Sequence, residues 1–467
     1  MTVPPIFEQA NKLNAAGQYG DAIALYDQIL TQNHANPGLL GTMATIYLRS
    51  GNTIGTAIAL FHYAILCSDA RREPVAPEIY SNLGLAYKYA GLMDRAAHYF
   101  EEALKVEKTA GVLCNYGSMF VEAGDAEKGI SHLREAVKLD PTLELAKWNL
   151  SLIELATGKW EEGWENYEAG KAPGGLRPDR DFNVHPSVPL WDGKSAGRIA
   201  VSGEQGIGDE IMFASMLPDL LKTRGPEDVI LECHPRLETL FQKSFPGVKT
   251  YPTRKEANIM WPHYERPDWR IAIGSLGKFY RRSLTDCPGT PYLKAEPSLP
   301  NSGKFRVGIS WTGGRLSQRV AKRTVPLNWW KSILSVSGVE FVSLQYTDCE
   351  EEIASVEREG FTILQHPGAK ATDYYEAAKL VASCDLVITV CTSVVHLAGA
   401  LGVPAWVMVP KFPAWRYQNS GRNPFYRSVR HYRATEEGTE AYIPLVQTIG
   451  LHLDDLVSGR AQQQKVA

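Results

Sequence analysis

At 467 residues, with 44% hydrophobic and 22% charged side chains, the chain is long enough for two to four domains of ordinary globular makeup. A net charge of −3 offers no basic footprint for nucleic acid, and no apolar run reaches membrane-spanning length. Seven scattered cysteines without a Cys-x-x-Cys pair argue against a zinc ribbon or a disulfide scaffold and suit a reducing cytoplasm. The opening MTVPPIFEQANKLN turns polar after a few residues and lacks a secretory pattern, so the expected location is cytoplasmic.

Residues 1–170 carry helical periodicity with a unit of about 34 residues. The clearest unit holds Tyr80, Leu83, Gly84, Tyr87, Gly91, Ala96, Phe100 and Ala103. The next holds Leu113, Tyr116, Gly117, Phe120, Gly124, Gly129, Leu133, Ala136 and Pro141. Gly84 and Gly117 let paired helices pack closely, Gly91 and Gly124 sit in the turns, and the large residues fill the space between units. This pattern resembles the tetratricopeptide repeat. An earlier unit (Ala10, Leu13, Gly17, Ala22, Tyr26, Pro37) follows it, and a second (Met43 to Ala64) has an extra turn residue and a lengthened exit at Ser68–Pro77. A fifth, degraded unit (Leu150, Gly158, Gly163, Tyr167) is expected to cap the stack. Stacked pairs form a solenoid whose concave face suits an extended peptide, or serves as a scaffold or dimerisation surface.

Residues 171–190, rich in Pro and Gly, read as a linker draped over a surface. Beyond it the pattern alternates. Strands are expected at 198–202, 228–232, 270–273, 305–311, 340–344, 361–364, 385–390 and 404–409. Helices are expected at 210–223, 235–244, 327–335, 350–359, 373–382, 393–401 and, near the end, 443–456. Such alternation implies parallel sheets covered on both faces, with ligands at the carboxyl ends of the strands. Two strand-turn-helix units, RIAVSGEQGIGD at Arg198–Asp209 and DLVITVCTSVVHLAGALG at Asp385–Gly402, suggest two facing α/β domains with a cleft between them. Glu296–Lys304 reads as the hinge between them.

An ordered set of short motifs spans nearly all of residues 160–430: WEEGWENYE, PLWDG, EQGIGDEIMFASMLP, RVGISWTG, KRTVPL, FVSLQ, TSVVHLAGALGVP and FPAWRYQNSGRNPFYRSVR. The set resembles the heptosyltransferase-like branch of GT-B glycosyltransferases in which tetratricopeptide repeats precede the transferase. The implied architecture is an all-α repeat solenoid (1–170), a linker (171–190), an acceptor-side Rossmann-like domain (191–297) and a donor-side Rossmann-like domain with a closing C-terminal helix (298–467). The resemblance extends to repeat-bearing transferases that glycosylate proteins such as flagellin.

Sugar transfer from a nucleotide donor needs a base for the acceptor and partners for the leaving phosphates. The resemblance makes Asp209 the base; the residue type alone equally suits a helix N-cap. Glu204, in the same turn, is the fallback base, and Gly206 and Gly208 line the cleft. These glycines form neither a dinucleotide fingerprint nor a P-loop. Arg315, Arg319, Lys322 and Arg323 share one loop after the strand 305–311, where they either meet a diphosphate or form a solvated charged loop. The resemblance places Lys322 and Arg323 nearest the phosphates. Thr392, Ser393 and His396 open the late helix and suit a phosphate. Where the resembling family usually carries Asp, this chain has Cys391, which leaves the transferred sugar open. Trp415 and Arg416 offer sugar stacking and phosphate pairing, or packing between domains. The Asp179-Arg180-Asp181 triplet follows no strand and reads as solvated loop, so neither metal nor cofactor is expected.

The resulting expectation is a cytoplasmic, metal-independent transferase that takes a nucleotide sugar and a protein or peptide acceptor held by the repeats, flagellin-like by resemblance, with no nucleic acid and no membrane span. The alternative is a repeat-based adaptor whose transferase domain is inactive. A nucleotide-sugar epimerase fits the peptide-binding repeats less well.

Overall fold

Small residues at fixed positions let the N-terminal helices close into pairs. A Cβ on Gly117 would lie 2.8 Å from Leu133 Cγ and 3.1 Å from the Gly129 carbonyl oxygen. One on Gly84 would lie 3.1 Å from the Ala96 carbonyl oxygen and from Phe100. The computed structural model describes residues 5–466 except 33–35, 51–52, 172–174, 178–187, 254–265, 314–322 and 420. It divides into two compact units, Met1–Ile153 and Glu154–Ala467.

The first unit is a tetratricopeptide-type solenoid. Its helix pairs are Pro5–Ala15 with Tyr19–Gln32, Pro37–Ser50 with Ile54–Arg71, Pro77–Tyr89 with Met93–Val106, and Ala110–Glu122 with Ala126–Leu139. Gly91 and Gly124 turn the chain at φ +78° and +85°, a region that side chains rarely enter. The aromatics interlock within and between pairs: Tyr87 stacks on Tyr99 of its own pair at 5.4 Å, and Phe100 on Tyr116 of the next at 5.3 Å. Amides stitch successive units together, Asn82 donating to Thr45 Oγ1 (3.2 Å) and Asn115 to Ser81 Oγ (3.1 Å).

The second unit opens with the end of the helix Glu144–Ala156, which crosses the division, a turn at Gly158, and the helix Trp160–Tyr167. The pair keeps repeat geometry, since a Cβ on Gly163 would lie 2.9 Å from Leu155 Cγ. Its second helix, expected to cap the stack, packs into the α/β unit. Trp164 lies 5.5 Å from Trp415 and 6.4 Å from Phe213, and a Cβ on Gly277 would lie 2.5 Å from its ring. Residues 160–170, expected within the solenoid, are therefore core of the α/β unit.

All eight expected strands form within two residues of their expected ends. β1 (Ile199–Ser202), β2 (Val229–Cys233), β3 (Lys249–Pro252) and β4 (Trp269–Ala272) make a parallel sheet in the order β3-β2-β1-β4. Ile199 pairs with Val229 on one side and Trp269 on the other. The second sheet comprises β5 (Phe305–Ser310), β6 (Val339–Ser343), β7 (Ile363–Leu364), β8 (Leu386–Val390), β9 (Ala405–Val409) and β10 (Val429–Arg433). It is also parallel, in the order β10-β9-β8-β5-β6-β7. The two strands that escaped the sequence, β3 and β10, are edge strands. Half-exposed edges lack the continuous apolar run that marks a buried parallel strand.

The strand order reverses between β1 and β4 in the first sheet and between β5 and β8 in the second. Such switch points leave a crevice at the carboxyl ends of the strands. The loops after β1, β5 and β8 open there. The expected helix 210–223 is broken into Ile207–Phe213, a 3₁₀ turn and Leu217–Thr223, the last with Pro218 in its first turn. The C-terminal helix, Ile443–Val466, buries Val446, Ile449 and Leu453 in the second sheet's core. A Cβ on Gly450 would lie 2.6 Å from the Ser332 carbonyl oxygen. The segment read as a hinge is stitched to the second sheet's helices, Ser298 N and Leu299 N both donating to Ser383 Oγ (2.9 and 3.0 Å), and just before it Tyr292 N donates to the Ala400 carbonyl (2.9 Å). Among the described residues, no helix is long and apolar enough to cross a membrane.

Candidate active site

β1 ends at Ser202 and the chain turns through Gly203–Gly206 into the helix Ile207–Phe213. Gly206 is the N-cap, so Asp209 is the third helical residue rather than a cap. Its Oδ2 reaches back to accept the Gly206 N–H at 3.3 Å, the reciprocal half of a capping box. Its Oδ1 pairs with Arg416 Nη2, and the two side chains are 20% and 19% exposed. Asp209 belongs to the first sheet's layer and Arg416 to a 3₁₀ turn, Trp415–Tyr417, after β9 of the second.

The two layers touch where their helices begin. A Cβ on Gly208 would lie 3.1 Å from His396 Cδ2 and 3.3 Å from Ser393 Cα. Gly208 thus sets the approach of the helix Ile207–Phe213 to the helix Ser393–Leu401. Further bonds hold the layers together. Tyr292 OH donates to the Ile211 carbonyl (2.6 Å), and Arg236 donates to the carbonyls of Thr372 (2.9 Å) and Ala371 (3.0 Å).

At the late helix, Thr392 is the N-cap, its Oγ1 accepting the Val394 N–H at 3.2 Å. Ser393 Oγ accepts from Tyr374 OH at 2.8 Å, which leaves its own proton to give to an anion. Arg323 stands beside Cys391: a Cβ on Gly313 would lie 3.4 Å from Arg323 Cβ and 3.7 Å from the Cys391 carbonyl oxygen. Burial pushes the Cys391 thiol up to about 12 against the pull of Arg323, so it stays a neutral lining group. Arg315, Arg319, Lys322 and the Asp179-Arg180-Asp181 triplet lie outside the described residues.

Three expected roles change. Glu204 is buried and bound by Arg177 through two hydrogen bonds, Nε to Oε2 (2.9 Å) and Nη2 to Oε1 (2.7 Å). Its Oε1 also accepts the Gly274 N–H at 2.8 Å. A carboxylate so committed cannot take a proton from an acceptor; Glu204 fastens the turn. Trp415, 6% exposed, sits in an aromatic cluster with Trp164, Tyr167, Phe213 and Phe425, so packing rather than sugar stacking accounts for it. His396 is buried, with Nδ1 hydrogen-bonded to Tyr426 OH at 3.1 Å, and belongs to the contact between helices.

Arg177, in the segment read as a draped linker, is fully buried. Its guanidinium lies 3.9 Å from the Tyr167 ring centre and donates to the Tyr167 carbonyl (2.8 Å). Burial opposes its charge, but Glu204 and Tyr167 hold it protonated. No periodic signal marks a lone Arg between glycines and prolines, so the sequence conceals it. Tyr374 and Tyr426, which orient Ser393 and His396, were equally silent, because a tyrosine near a helix or strand reads as core.

Burial, with Arg416 nearby, pushes His396 down to about 3. The unfolded chain takes up a proton below about 6.5 that the folded chain refuses, so this stability is present above 6.5 and lost as the pH falls. At pH 5 the loss should approach about 2 kcal/mol at most. Melting temperatures at pH 7.5 and 5.0 check it: His396→Gln should show a smaller drop than the parent, and equal drops would mean that His396 is not held neutral.

The arrangement brings one carboxylate, one arginine from the opposite sheet's layer, a serine hydroxyl and a helix N-terminus together where the two layers touch. It can bind an anion and place a base beside it.

Residues 77–109 and 110–143 match the tetratricopeptide repeat family profile. The chain is 29% identical over 393 residues to Protein FlbA of Caulobacter vibrioides, covering 78% of this chain and 65% of that protein. It is 24% identical over 158 residues to Tetratricopeptide repeat protein 8 of Caenorhabditis elegans, covering 33% and 30%. The chain thus spans less than two thirds of the length of either curated relative. Among solved structures, MamA is 17% identical with a TM-score of 0.29, covering 36% of this chain and 94% of that one. A thermophilic tetratricopeptide repeat protein of Thermus thermophilus is 22% identical with a TM-score of 0.33, covering 37% and 92%. The chain contains tetratricopeptide repeats, a protein-interaction module, joined to a parallel-sheet α/β region.

Proposed function

We propose that the chain is a glycosyltransferase of GT-B type, moving a sugar from a nucleotide donor to a protein acceptor recruited by the repeats. The observation that carries this reading is the meeting of Asp209 and Arg416, from two different parallel sheets, beside the helix that begins at Ser393. In the proposed reaction the acceptor hydroxyl oxygen bonds to the anomeric carbon and its proton passes to Asp209. The sugar–phosphate bond breaks, and the nucleotide leaves with the electron pair. Arg416, Arg323, the Ser393 hydroxyl and the late helix's N–H groups meet the charge on the leaving phosphate. The seven free cysteines suit a reducing cytoplasm.

The test uses the full chain with radiolabelled UDP-, ADP-, GDP- and CMP-sugars, scoring hydrolysis and transfer, with and without excess chelator. Saturable turnover with at least one donor is expected, unchanged by chelator because basic and N–H groups are available for the phosphate. Loss of turnover restored by manganese or magnesium would overturn metal independence. Absence of turnover with every donor would favour the second reading, a repeat-based adaptor. Cys391, standing where the resembling family has Asp, is the observation on that side.

A further inference from the structure

Asp209 is the proposed base, yet both of its oxygens are engaged, Oδ2 by the Gly206 N–H and Oδ1 by Arg416. An acceptor hydroxyl must therefore compete with both partners for a place on the carboxylate. Arg416 is itself incompletely satisfied: its Nε is buried with no hydrogen-bond partner among the described residues. A buried N–H without a partner is costly, so the pair with Asp209 leaves this donor open to a further acceptor. A diphosphate offers several oxygens that can take Nε and Nη2 together, in the fork geometry that guanidinium favours. The surrounding backbone is pinned. Trp415 and Tyr417 are buried, and Gln418 Nε2 donates to the Leu155 carbonyl (2.9 Å) and the Trp415 carbonyl (2.8 Å). Movement at this turn is therefore confined to the Arg416 side chain.

We propose that Arg416 is shared in turn between Asp209 and the donor diphosphate, so that donor binding is the event that frees the Asp209 carboxylate for the acceptor. This rests on the glycosyltransferase reading above. It makes Arg416 a positioning residue for the base as well as a phosphate contact, and it requires donor before acceptor. An acceptor that arrives first meets a carboxylate neutralised by its own ion pair. The ordering follows from Nη2 being the donor that both anions call on, Asp209 in the ion pair and the diphosphate in the two-pronged grip through Nε and Nη2.

The consequence for binding is counterintuitive. If the donor must take Arg416 from Asp209, removing the Asp209 charge should tighten diphosphate binding. Simple repulsion between carboxylate and phosphate would act in the same direction, so a double-mutant cycle is needed to separate the two. Calorimetry with inorganic pyrophosphate, ADP and UDP is run on the full-chain parent, Asp209→Asn, Arg416→Gln and the double variant. Melting temperatures verify folding, and Arg416→Lys is held in reserve should Arg416→Gln unfold. Asp209→Asn is expected to tighten binding about tenfold and Arg416→Gln to weaken it about tenfold. In the Arg416→Gln background, Asp209→Asn should change affinity less than about twofold. The same tightening in both backgrounds, or none in either, would overturn the exchange while leaving the enzyme reading intact. Parent protein that binds none of the three probes would reject the diphosphate site itself, and the exchange with it.

Discussion

Asp209→Asn is expected to lower sugar transfer by about 10²–10⁴-fold, the usual range for a lost general base. The substitution is nearly isosteric. Asn can still accept the Gly206 N–H through its carbonyl, so the reciprocal cap survives. What disappears is the capacity to take a proton, together with the ion pair to Arg416. That pair is about four-fifths buried on each side, and Asn leaves Arg416 without its counterion, so some loss of melting temperature is expected beside the loss of rate. Initial rates with a saturating labelled donor, beside a melting curve, separate catalysis from folding. Near-parental turnover would reduce Asp209 to a capping and ion-pairing residue. Glu204 could not then inherit the role, because Arg177 and the Gly274 N–H occupy it.

The second large effect belongs to Arg177, and it falls on stability. Arg177→Met should cost about 3–5 kcal/mol, the range for breaking a buried ion pair from one side. The loss comes chiefly from Glu204, left 2% exposed without its counterion, and secondarily from the Tyr167 ring and carbonyl that the guanidinium covers. The double variant Arg177→Met/Glu204→Gln should recover more than half of the loss, since Gln is neutral and still accepts the Gly274 N–H. Urea unfolding of the full chain, followed by tryptophan fluorescence, measures both. Trp160, Trp164 and Trp415 report on the region around this ion pair. An unchanged midpoint in Arg177→Met would mean that the pair holds nothing. A double variant as unstable as the single one would mean that the cost lies in lost packing rather than stranded charge.

Both residues act on a turn that the sequence marked by its glycines, yet their roles were not equally legible. Asp209 could be singled out because the family resemblance makes it the base, at a position that follows a strand and opens a helix. Whether it caps that helix depended on where the helix begins, and the start at Ile207 moved it from the cap to the third position. Arg177 could not be singled out, because nothing periodic surrounds it.

What the sequence determined by itself are the features with short-range causes. Repeated small residues at equivalent positions specify the helix pairs of the solenoid, since a Cβ at Gly84 or Gly117 would collide with the partner helix. Continuous apolar runs bounded by Gly, Pro and Asp specify the buried parallel strands, because both of their faces are covered. Local composition also located the turns after β1 and β8. The tertiary structure alone decided which side chains meet around those turns. It drew Asp209 and Arg416 together across 207 positions of sequence, sank Arg177 against Glu204, and decided for Trp415 between sugar stacking and packing, in favour of packing. Those outcomes depend on the packing of one sheet's helices against another's, where close approach at a single glycine, Gly208, sets the distance. A contact of that kind has no periodicity and no local composition by which a sequence could announce it.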